Sequence, residues 1–377
     1  MSSSPPVFTY LDHNATTPVR PAAIAAMAET LAECGNPSSV HRAGRAARQR
    51  LEAARAMVAE AVGLPAGGTL VFTSGGTEAN QLALAGTGRE VILRSAIEHD
   101  SVRAAVPDAI EIPALAGGTV DLAALAALLA EATGPALVSV MAANNETGVI
   151  QPIAEIVRLA HAAGALVHCD AIQAIGKIGF DMAALGADLV SISAHKLGGP
   201  PGVGALALVP GLHLAARQRG GGQERGLRAG TENLPGIAGF AAAIAQAVAE
   251  LSRYQALTGL RDAMERSLLA IEPAAVVFGA GQARLPNTSC VALPGVSSEL
   301  QVIALDLAGI GVSAGAACSS GKVRPSHVLE AMGAGPDLAR SAIRISLGRD
   351  TGPAEIERLV AAWGALARRH RDKRGAA

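Results

Sequence analysis

The sequence predicts an α/β fold with a mostly parallel central sheet and a smaller α+β C-terminal domain. Three observations carry this prediction: short apolar runs recur through the first two thirds of the chain, amphipathic stretches separate several of them, and the pattern changes near residue 250. The runs are often β-branched and apolar throughout, as is typical of strands buried on both faces of a parallel sheet. They cover residues 69–72, 90–93, 137–141, 166–169, 189–192 and 205–209.

The stretches between and after these runs complete the prediction. Residues 121–132 and 153–163 have the apolar spacing of helices, which places helices between parallel strands. One long helical pattern covers 234–255, and a helix at 257–271 and short strands at 275–278 and 289–292 follow it. We therefore expect a large domain over 16–250 and a small domain over 251–377 that also includes 1–15.

Composition excludes several classes of function. A chain of 377 residues, half of them hydrophobic, is too long for one compact core. Lysine and arginine (31) nearly cancel aspartate and glutamate (32), so no excess positive charge indicates a nucleic-acid partner. The first residues lack the pattern of a signal peptide, and no apolar stretch reads as a membrane span, so we expect a cytoplasmic protein.

The four cysteines are expected to be reduced and to bind no metal. They are Cys34, Cys169, Cys290 and Cys318, and none forms a CxxC pair or a zinc-site spacing.

The first candidate site is the glycine-rich turn after residues 69–72. Ligands of open parallel sheets bind beyond the carboxyl ends of the strands. Gly75, Gly76 and Thr77 precede an apolar helical run there. Such a turn presents backbone N–H groups that suit a phosphate, and the local pattern equally fits a capped helix after a tight turn.

Two further strand ends carry ionisable residues. Asp170 ends the run at 166–169, where it could face a protonated ring nitrogen or cap the next helix. Lys196 lies between a buried strand and a Gly/Pro-rich loop, where desolvation would lower the pKa of its amine and make it a nucleophile. Alone, it could also be a surface lysine.

In this chain order the residues resemble the class V enzymes of the aspartate aminotransferase fold, which use pyridoxal 5′-phosphate (PLP). Within that class the sequence is similar to cysteine desulfurases of the NifS/IscS kind, and to their long-loop group. Ten ordered motifs carry the resemblance over nearly the whole chain: YLDHNATTPV (10–19), GNPSSVH (35–41), FTSGGTEAN (72–80), EHDS (98–101), NNETG (144–148), HCDAIQ (168–173), SISAHKLGG (191–199), RAGTEN (228–233), AGAACSS (314–320) and RISLG (344–348).

The resemblance implies roles for the residues around the cofactor. Lys196 would bind PLP covalently and move the substrate proton, and Asp170 would pair with the ring nitrogen. Gln173 would contact the ring hydroxyl, and His99 would lie over the ring and act as an acid or base. Asn145 would lie beside the ring hydroxyl and the substrate carboxylate.

The resemblance also implies which residues hold charged groups. Arg344 would bind the substrate carboxylate, for which its two-donor fork is suited. Thr231 would reach the phosphate of the neighbouring subunit in a homodimer. The phosphate would otherwise be held by Gly76, Thr77, Ser193 and His195.

Cys318 is the implied nucleophile for sulfur. It lies in a stretch, 309–325, that is rich in Gly, Ala and Ser, a composition typical of a loop. The implied reaction converts L-cysteine to L-alanine and leaves a persulfide on Cys318. An acceptor protein, such as an iron–sulfur scaffold, would then take the sulfur for iron–sulfur cluster assembly or tRNA thiolation.

The sequence departs from its relatives at two places, of which the first is tolerable and the second leaves the acceptor open. Ala316 stands where many relatives have Ser, and the basic end of the chain does not match the tail that docks a scaffold protein in housekeeping relatives. Three alternatives also remain. They are another class V reaction such as aminotransfer or kynurenine hydrolysis, a non-catalytic partner protein on this fold, and a dinucleotide binder. The last depends on GGGQERG (220–226), which does not directly follow a strand.

Overall fold

The computed structural model describes residues 8–315 and 325–375, with the backbone alone given for 373–375. Over these residues the strands are β1 (Thr9–Tyr10), β2 (Thr69–Thr73), β3 (Val91–Ser95), β4 (Ile110–Ile112), β5 (Ala136–Met141), β6 (Leu166–Asp170), β7 (Leu189–Ser193), β8 (Gly204–Leu208), β9 (Val276–Phe278), β10 (Thr288–Ala292), β11 (Ile310–Gly311), β12 (Ser313–Ala314) and β13 (Ala342–Ser346).

Helices account for most of the remaining regular structure. Two short 3₁₀ turns, Ala194–Lys196 and Gln223–Gly226, accompany them. The helices are α1 (Pro21–Ala32), α2 (Arg42–Ala61), α3 (Gly76–Gly86), α4 (Asp100–Arg103), α5 (Leu122–Glu131), α6 (Ile153–Ala162), α7 (Met182–Leu185), α8 (Leu234–Ala249), α9 (Leu251–Gln255), α10 (Leu257–Ile271), α11 (Ser298–Leu307), α12 (His327–Ala331), α13 (Pro336–Arg340) and α14 (Pro353–Gly375).

The central sheet has the strand order β2-β8-β7-β6-β5-β3-β4. The neighbours from β7 to β4 pair in parallel, and β8 is antiparallel to both β7 and β2. Strand β2 therefore runs in the same direction as β7, and its carboxyl end lies at the same edge of the sheet. The predicted mostly parallel sheet is confirmed, and this edge gathers the residues that follow β2, β6 and β7.

The C-terminal part contains a four-stranded antiparallel sheet with the order β12-β13-β10-β9. The N-terminal strand β1 pairs with β11 in parallel, and Asp12 forms a parallel bridge to Ser346. The first described residues thus pack with C-terminal strands. The two-domain division itself stays a prediction.

Two features differ from the sequence prediction. The pattern over 234–255 forms two helices, because the chain bends at Glu250, whose carboxylate accepts a 2.6 Å bond from Arg20. Strand β13 is missing from the prediction, since the buried charge of Arg344 interrupts its apolar run.

The buried apolar residues form a large cluster around the central sheet and a second cluster around the C-terminal sheet. Trp363 on α14 belongs to the second cluster and is fully buried. Its indole N–H donates to Gln301 Oε1 at 3.2 Å, which satisfies the ring's polar atom. Leu11, from the N-terminal stretch, packs in the same cluster.

Among the described residues, no single helix is both long and apolar enough to span a membrane. One bent pair, Leu234–Ala249 with Leu251–Ile271, meets the criterion of length and composition when taken together.

We expect Trp363→Ala to lower the free energy of unfolding by ~3–5 kcal/mol, because the substitution leaves a cavity in the second cluster. Urea unfolding followed by far-ultraviolet circular dichroism measures the loss. Trp363→Phe is the control, since it keeps an aromatic ring in place and should cost less. Equal losses for the two variants would contradict the packing role.

Candidate active site

One cavity of about 380 Å³ brings together most of the residues predicted from the sequence. It lies at the carboxyl edge of the central sheet, where Asp170 ends β6 and Ser193 ends β7. The predicted residues that line it are Gly76, Thr77, His99, Asn145, Asp170, Gln173, Ser193, His195, Lys196 and Arg344. Thr231 lies elsewhere, and Cys318 is outside the described residues.

The glycine-rich turn brings a helix terminus to this cavity. Gly75 has φ 156°, a conformation that favours glycine, and α3 begins at Gly76. A Cβ on Gly76 would collide with Ile172 Cδ1, so a larger residue there would force the Ile172 side chain to move. The first backbone N–H groups of a helix lack partners within the helix, and here they begin at the cavity wall.

Asp170 is held as a hydrogen-bonded carboxylate in a buried position. Its Oδ2 accepts from Asn80 Nδ2 at 2.8 Å and its Oδ1 accepts from Ile172 N at 3.0 Å. Burial raises the pKa of Asp170, while these hydrogen bonds and the charges of His99 and Lys196 oppose the rise. A cationic group in the cavity would stabilise the charged form further.

Lys196 follows β7 in a 3₁₀ turn, and its amine faces the cavity. Its Nζ donates to two backbone carbonyls, Asn14 O and Ala15 O, both at 2.8 Å. Burial, assisted by the positive charge of Arg344, lowers the pKa of Lys196 to about 8. The lowered pKa expected from the sequence is therefore found, and about a tenth of the amine is unprotonated at pH 7.

His99 caps the short helix α4 and is oriented by Ser101. Its Nδ1 accepts from Ser101 N at 3.1 Å and lies 2.9 Å from Ser101 Oγ. Burial lowers the pKa of His99, and the carboxylate of Asp170 opposes that effect. A neutral imidazole on the cavity wall is suited to accept or relay a proton.

Arg344 reaches the cavity from the other sheet, on β13. Its Nη2 pairs with Asp12 Oδ1 at 2.8 Å and its Nη1 donates to Asn145 O at 3.2 Å. The Nε atom of Arg344 is buried and has no hydrogen-bond partner among the described residues. A guanidinium with a spare donor in a cavity is suited to an anionic ligand.

A buried polar network behind the cavity contains residues that the sequence analysis does not identify. Asn14 O accepts from Gln173 Nε2 at 3.0 Å as well as from Lys196, and Lys177 Nζ donates to both Asn14 Oδ1 and Gln173 Oε1. Asn14 and Asp12 belong to the YLDHNATTPV motif, and Lys177 follows HCDAIQ by four residues. The motifs were a signal for all three, but no local pattern indicates their contacts.

Glu146 and His327 also line the cavity without having been predicted. Burial raises the pKa of Glu146 to about 7, and a 2.6 Å bond from Ser326 Oγ opposes the rise. His327 Nε2 lies 2.9 Å from Glu98 O. Glu146 lies in the NNETG motif, where the sequence analysis singles out only the neighbouring Asn145.

The predicted phosphate residues lie on one side of the cavity, with the exception of Thr231. Burial and the charge of Lys196 lower the pKa of His195 to about 4, so its ring is neutral, and Nδ1 is 3.2 Å from Thr16 Oγ1. Thr231 is exposed and lines a separate cavity of about 580 Å³ with Leu31 and Cys34.

Comparison with known proteins gives consistent matches along the chain. Residues 9–359 match the family model described as "Aminotransferase class-V". A cysteine desulfurase of Cereibacter sphaeroides is 46% identical over 366 residues, which is 93% of each chain. An IscS-like cysteine desulfurase of Mycobacterium tuberculosis is 39% identical over 96% of this chain and 97% of that protein. The crystal structure of a NifS-like protein from Rickettsia africae has a TM-score of 0.88 at 36% identity, over 95% of this chain and 99% of the other.

We expect the amine of Lys196 to react with acetic anhydride with a half-maximal rate near pH 8, since burial and Arg344 lower the pKa of this amine to about 8. An ordinary lysine has a pKa of about 10.4. Peptide mass mapping of protein freed of bound aldehydes by hydroxylamine and dialysis measures the rate at each pH.

Arg344→Met should move the half-maximal pH of Lys196 upward, because a nearby positive charge is removed. Arg253→Met, which removes an exposed arginine outside the cavity, is the matched control and should leave it unchanged. A wild-type value above pH 10, or equal values in the two variants, would contradict the assignment.

Proposed function

The chain belongs to the class-V aminotransferase family, and we propose that it is a PLP-dependent cysteine desulfurase, which converts L-cysteine to L-alanine. The observation that carries this proposal is that one cavity holds the Lys196 amine, the Asp170 carboxylate and the Arg344 guanidinium. Relatives named cysteine desulfurase that match over more than nine tenths of the chain support the same reaction.

The residues of the cavity fit PLP. The Lys196 amine, with a pKa of about 8, is suited to bond the aldehyde, and the buried Asp170 carboxylate suits a protonated ring nitrogen. The α3 N-terminus at Gly76, with Ser193 and the neutral His195, suits a phosphate. When bound, PLP supplies an electron sink for the electrons of the broken Cα–H bond.

Arg344 binds the α-carboxylate of L-cysteine. Asp12 and the carbonyl of Asn145 hold its Nη2 and Nη1, and each of these nitrogens has a second N–H for the carboxylate. The guanidinium is therefore fixed before the substrate arrives, and little side-chain entropy is lost when the carboxylate binds.

Lys196 moves the Cα proton. Its amine donates to Asn14 O and Ala15 O, which hold it at the cavity wall when it carries a proton. The pKa of about 8 makes the amine able both to accept and to return a proton near neutral pH. His99 lines the same cavity, and because its Nδ1 accepts from Ser101 N, the neutral ring carries its proton on Nε2 and can donate it.

Cys318 is the nucleophile of the proposal, and it lies outside the described residues. The described residues on either side support its role, because Gly315 and His327 both line the cavity. Cys318 is three residues after Gly315, and an extended chain spans at most about 3.6 Å per residue. Cys318 is therefore within three residues of sequence of a residue of the cavity wall.

The other cysteines are poor alternatives. Cys169 and Cys290 are buried, and burial raises the pKa of both thiols, which disfavours the thiolate. Cys34 is exposed but lines the separate cavity near Thr231. Cys318 is thus the one remaining cysteine of the sequence that can act at this site.

The sulfur transfer balances without an external oxidant. The Cys318 thiolate forms a bond to the substrate sulfur as the substrate carbon–sulfur bond breaks, and the electron pair of that bond stays with the carbon. Protonation of this carbon and of Cα gives L-alanine, while Cys318 keeps the sulfur as a persulfide. A thiol acceptor must then attack the persulfide to regenerate Cys318.

We expect wild-type protein with PLP, L-cysteine and a reducing thiol to form alanine and sulfide in equal amounts, and Cys318→Ala to form neither above background. Amino-acid analysis and a methylene-blue sulfide assay measure the two products. Cys34→Ala is the matched control, because it removes an exposed thiol outside the cavity and should retain full activity.

Alanine formation by Cys318→Ala at the wild-type rate would contradict the assignment of Cys318 as the nucleophile. A product other than alanine, formed without any need for Cys318, would instead favour aminotransfer or kynurenine hydrolysis.

A homodimer with shared sites is part of the proposal. Thr231 is exposed and outside the main cavity of its own chain, as a residue that serves the partner's phosphate would be. Large apolar side chains near the second cavity support coverage by another subunit, since Leu31 is 68% exposed and Val40 is 84% exposed. The proposal places the protein in the cytoplasm, with an acceptor in iron–sulfur cluster assembly or tRNA thiolation.

A mixed dimer tests whether Thr231 acts across the interface. Thr231→Asp should weaken PLP binding, because a carboxylate repels the phosphate, and Lys196→Ala should abolish covalent binding. A dimer of one Lys196→Ala chain and one Thr231→Asp chain, purified with two tags, should regain one tight site, because the Thr231→Asp chain keeps Lys196 and receives an intact Thr231 from its partner. Absorbance titration with PLP counts the tight sites. If the mixed dimer has no tight site, the proposal that Thr231 serves the neighbouring subunit's PLP site is wrong.

A further inference from the structure

Lys177 is a buried lysine, and no carboxylate among the described residues pairs with it. It is 1% exposed, and its Nζ donates to two neutral amide oxygens, Asn14 Oδ1 at 2.7 Å and Gln173 Oε1. Burial lowers the pKa of Lys177 well below its ordinary value, and the positive charges of Lys196 and Arg344 act in the same direction. Burying such a group is costly, so its position calls for an explanation.

The hydrogen-bond chemistry of lysine explains why Lys177 is buried at this position. Lys177 Nζ donates to the carbonyl oxygen of Gln173, and as an ammonium it has three donors and no acceptor, so in that form only the oxygen end of the amide can face it. The Nε2 end of Gln173 is then turned the other way, where it donates to Asn14 O at 3.0 Å. An amide NH₂ has two N–H groups, and the second remains for a molecule in the cavity that Gln173 lines.

Lys177 orients Asn14 by the same rule. Asn14 Oδ1 accepts from Lys177 and from Asn287 Nδ2 at 3.1 Å, and Asn14 Nδ2 consequently donates to Asn145 O and Thr288 Oγ1. The backbone carbonyl of Asn14 also accepts from Lys196 Nζ. Lys177 does not line the cavity, yet it orients two residues that do, Asn14 and Gln173.

We propose that Lys177 is a positioning residue, which fixes the Gln173 amide so that it presents an N–H group to the cavity. The inference deepens the proposed function and rests on it, because the ligand that would use this N–H is PLP. An N–H donor at that position favours an anionic ring oxygen over a protonated hydroxyl. Without Lys177, the bond to Asn14 O alone orients the amide, and the selection for the anion is weakened.

The charged and titratable groups around Lys177 are few. Lys196, in the turn after β7, and Arg344, on β13, both lower the pKa of Lys177. Burial, together with the charge of Lys177, lowers the pKa of His13 to about 4. These groups are cationic or neutral. Asn14 and Gln173 therefore interact with Lys177 by accepting its hydrogen bonds, and they do not neutralise its charge.

The test measures the affinity of the dialysed full-length protein for PLP, by absorbance and fluorescence titration. Lys177→Met should weaken binding about tenfold, or ~1.4 kcal/mol, and Gln173→Ala should weaken it by a similar factor. Because Lys177 acts through Gln173, the double variant should bind about as weakly as Gln173→Ala alone. Glu265→Gln, which breaks a buried 2.7 Å ion pair with Arg284 outside the cavity, is the control for lost stability and should bind PLP like wild type.

A second variant keeps the inference testable if Lys177→Met folds poorly. Lys177→Gln keeps a polar group in the buried position, but its amide can donate or accept and so no longer orients Gln173; it should weaken PLP binding in the same direction. The inference is overturned if both Lys177 variants bind PLP as tightly as Glu265→Gln, or if the Lys177 and Gln173 effects add fully. In that case wild-type binding of PLP still supports the proposed function. A wild-type protein that binds no PLP overturns both.

Discussion

The cavity depends on the hydrogen bonds of one buried asparagine, Asn14. Its carbonyl oxygen holds the amine of Lys196, and its side chain connects Lys177 to Thr288 on β10. Its backbone N–H donates to Ser346 Oγ at 2.9 Å, on β13 of the smaller sheet. An asparagine side chain has both a donor and an acceptor end, so Asn14 accepts from Lys177 and donates to Thr288, whereas a carboxylate could only accept. The N-terminal stretch thereby ties the end of the central sheet to the C-terminal sheet.

Burial sets the protonation of the groups that face the cavity. It lowers the pKa of Lys196 to about 8 and raises the pKa of Glu146 to about 7, because a low-dielectric site disfavours both charged forms. An amine and a carboxyl group that both titrate near neutrality are able to exchange protons with a substrate. Asp170 receives two hydrogen bonds that counter the effect of burial, and it is suited to hold a fixed negative charge instead.

The site joins two sheets with different tasks. The central sheet contributes Asp170 and Lys196 at neighbouring strand ends, and β13 of the smaller sheet contributes Arg344. The distance between the amine and the guanidinium is therefore set by how the two sheets pack and not by either one alone. Asp12 and Asn14 lie where the N-terminal stretch crosses between them, which explains why this short segment matters to both.

The sequence by itself determined most of the central sheet, and it placed Asp170 and Lys196 at one edge, because parallel strands end at the same edge and both residues come at strand ends. Other predicted residues of the cavity, such as His99, Asn145 and Arg344, were implied by the ordered family motifs. Only the tertiary structure decided the partners of Lys177, since Asn14 is 163 residues away and no local pattern encodes that contact. It likewise revealed the pairing of Arg344 with Asp12, 332 residues apart. The physical reason is that strand and helix periodicity is local, whereas the burial of a polar side chain and the direction of its hydrogen bonds depend on which distant segments pack around it.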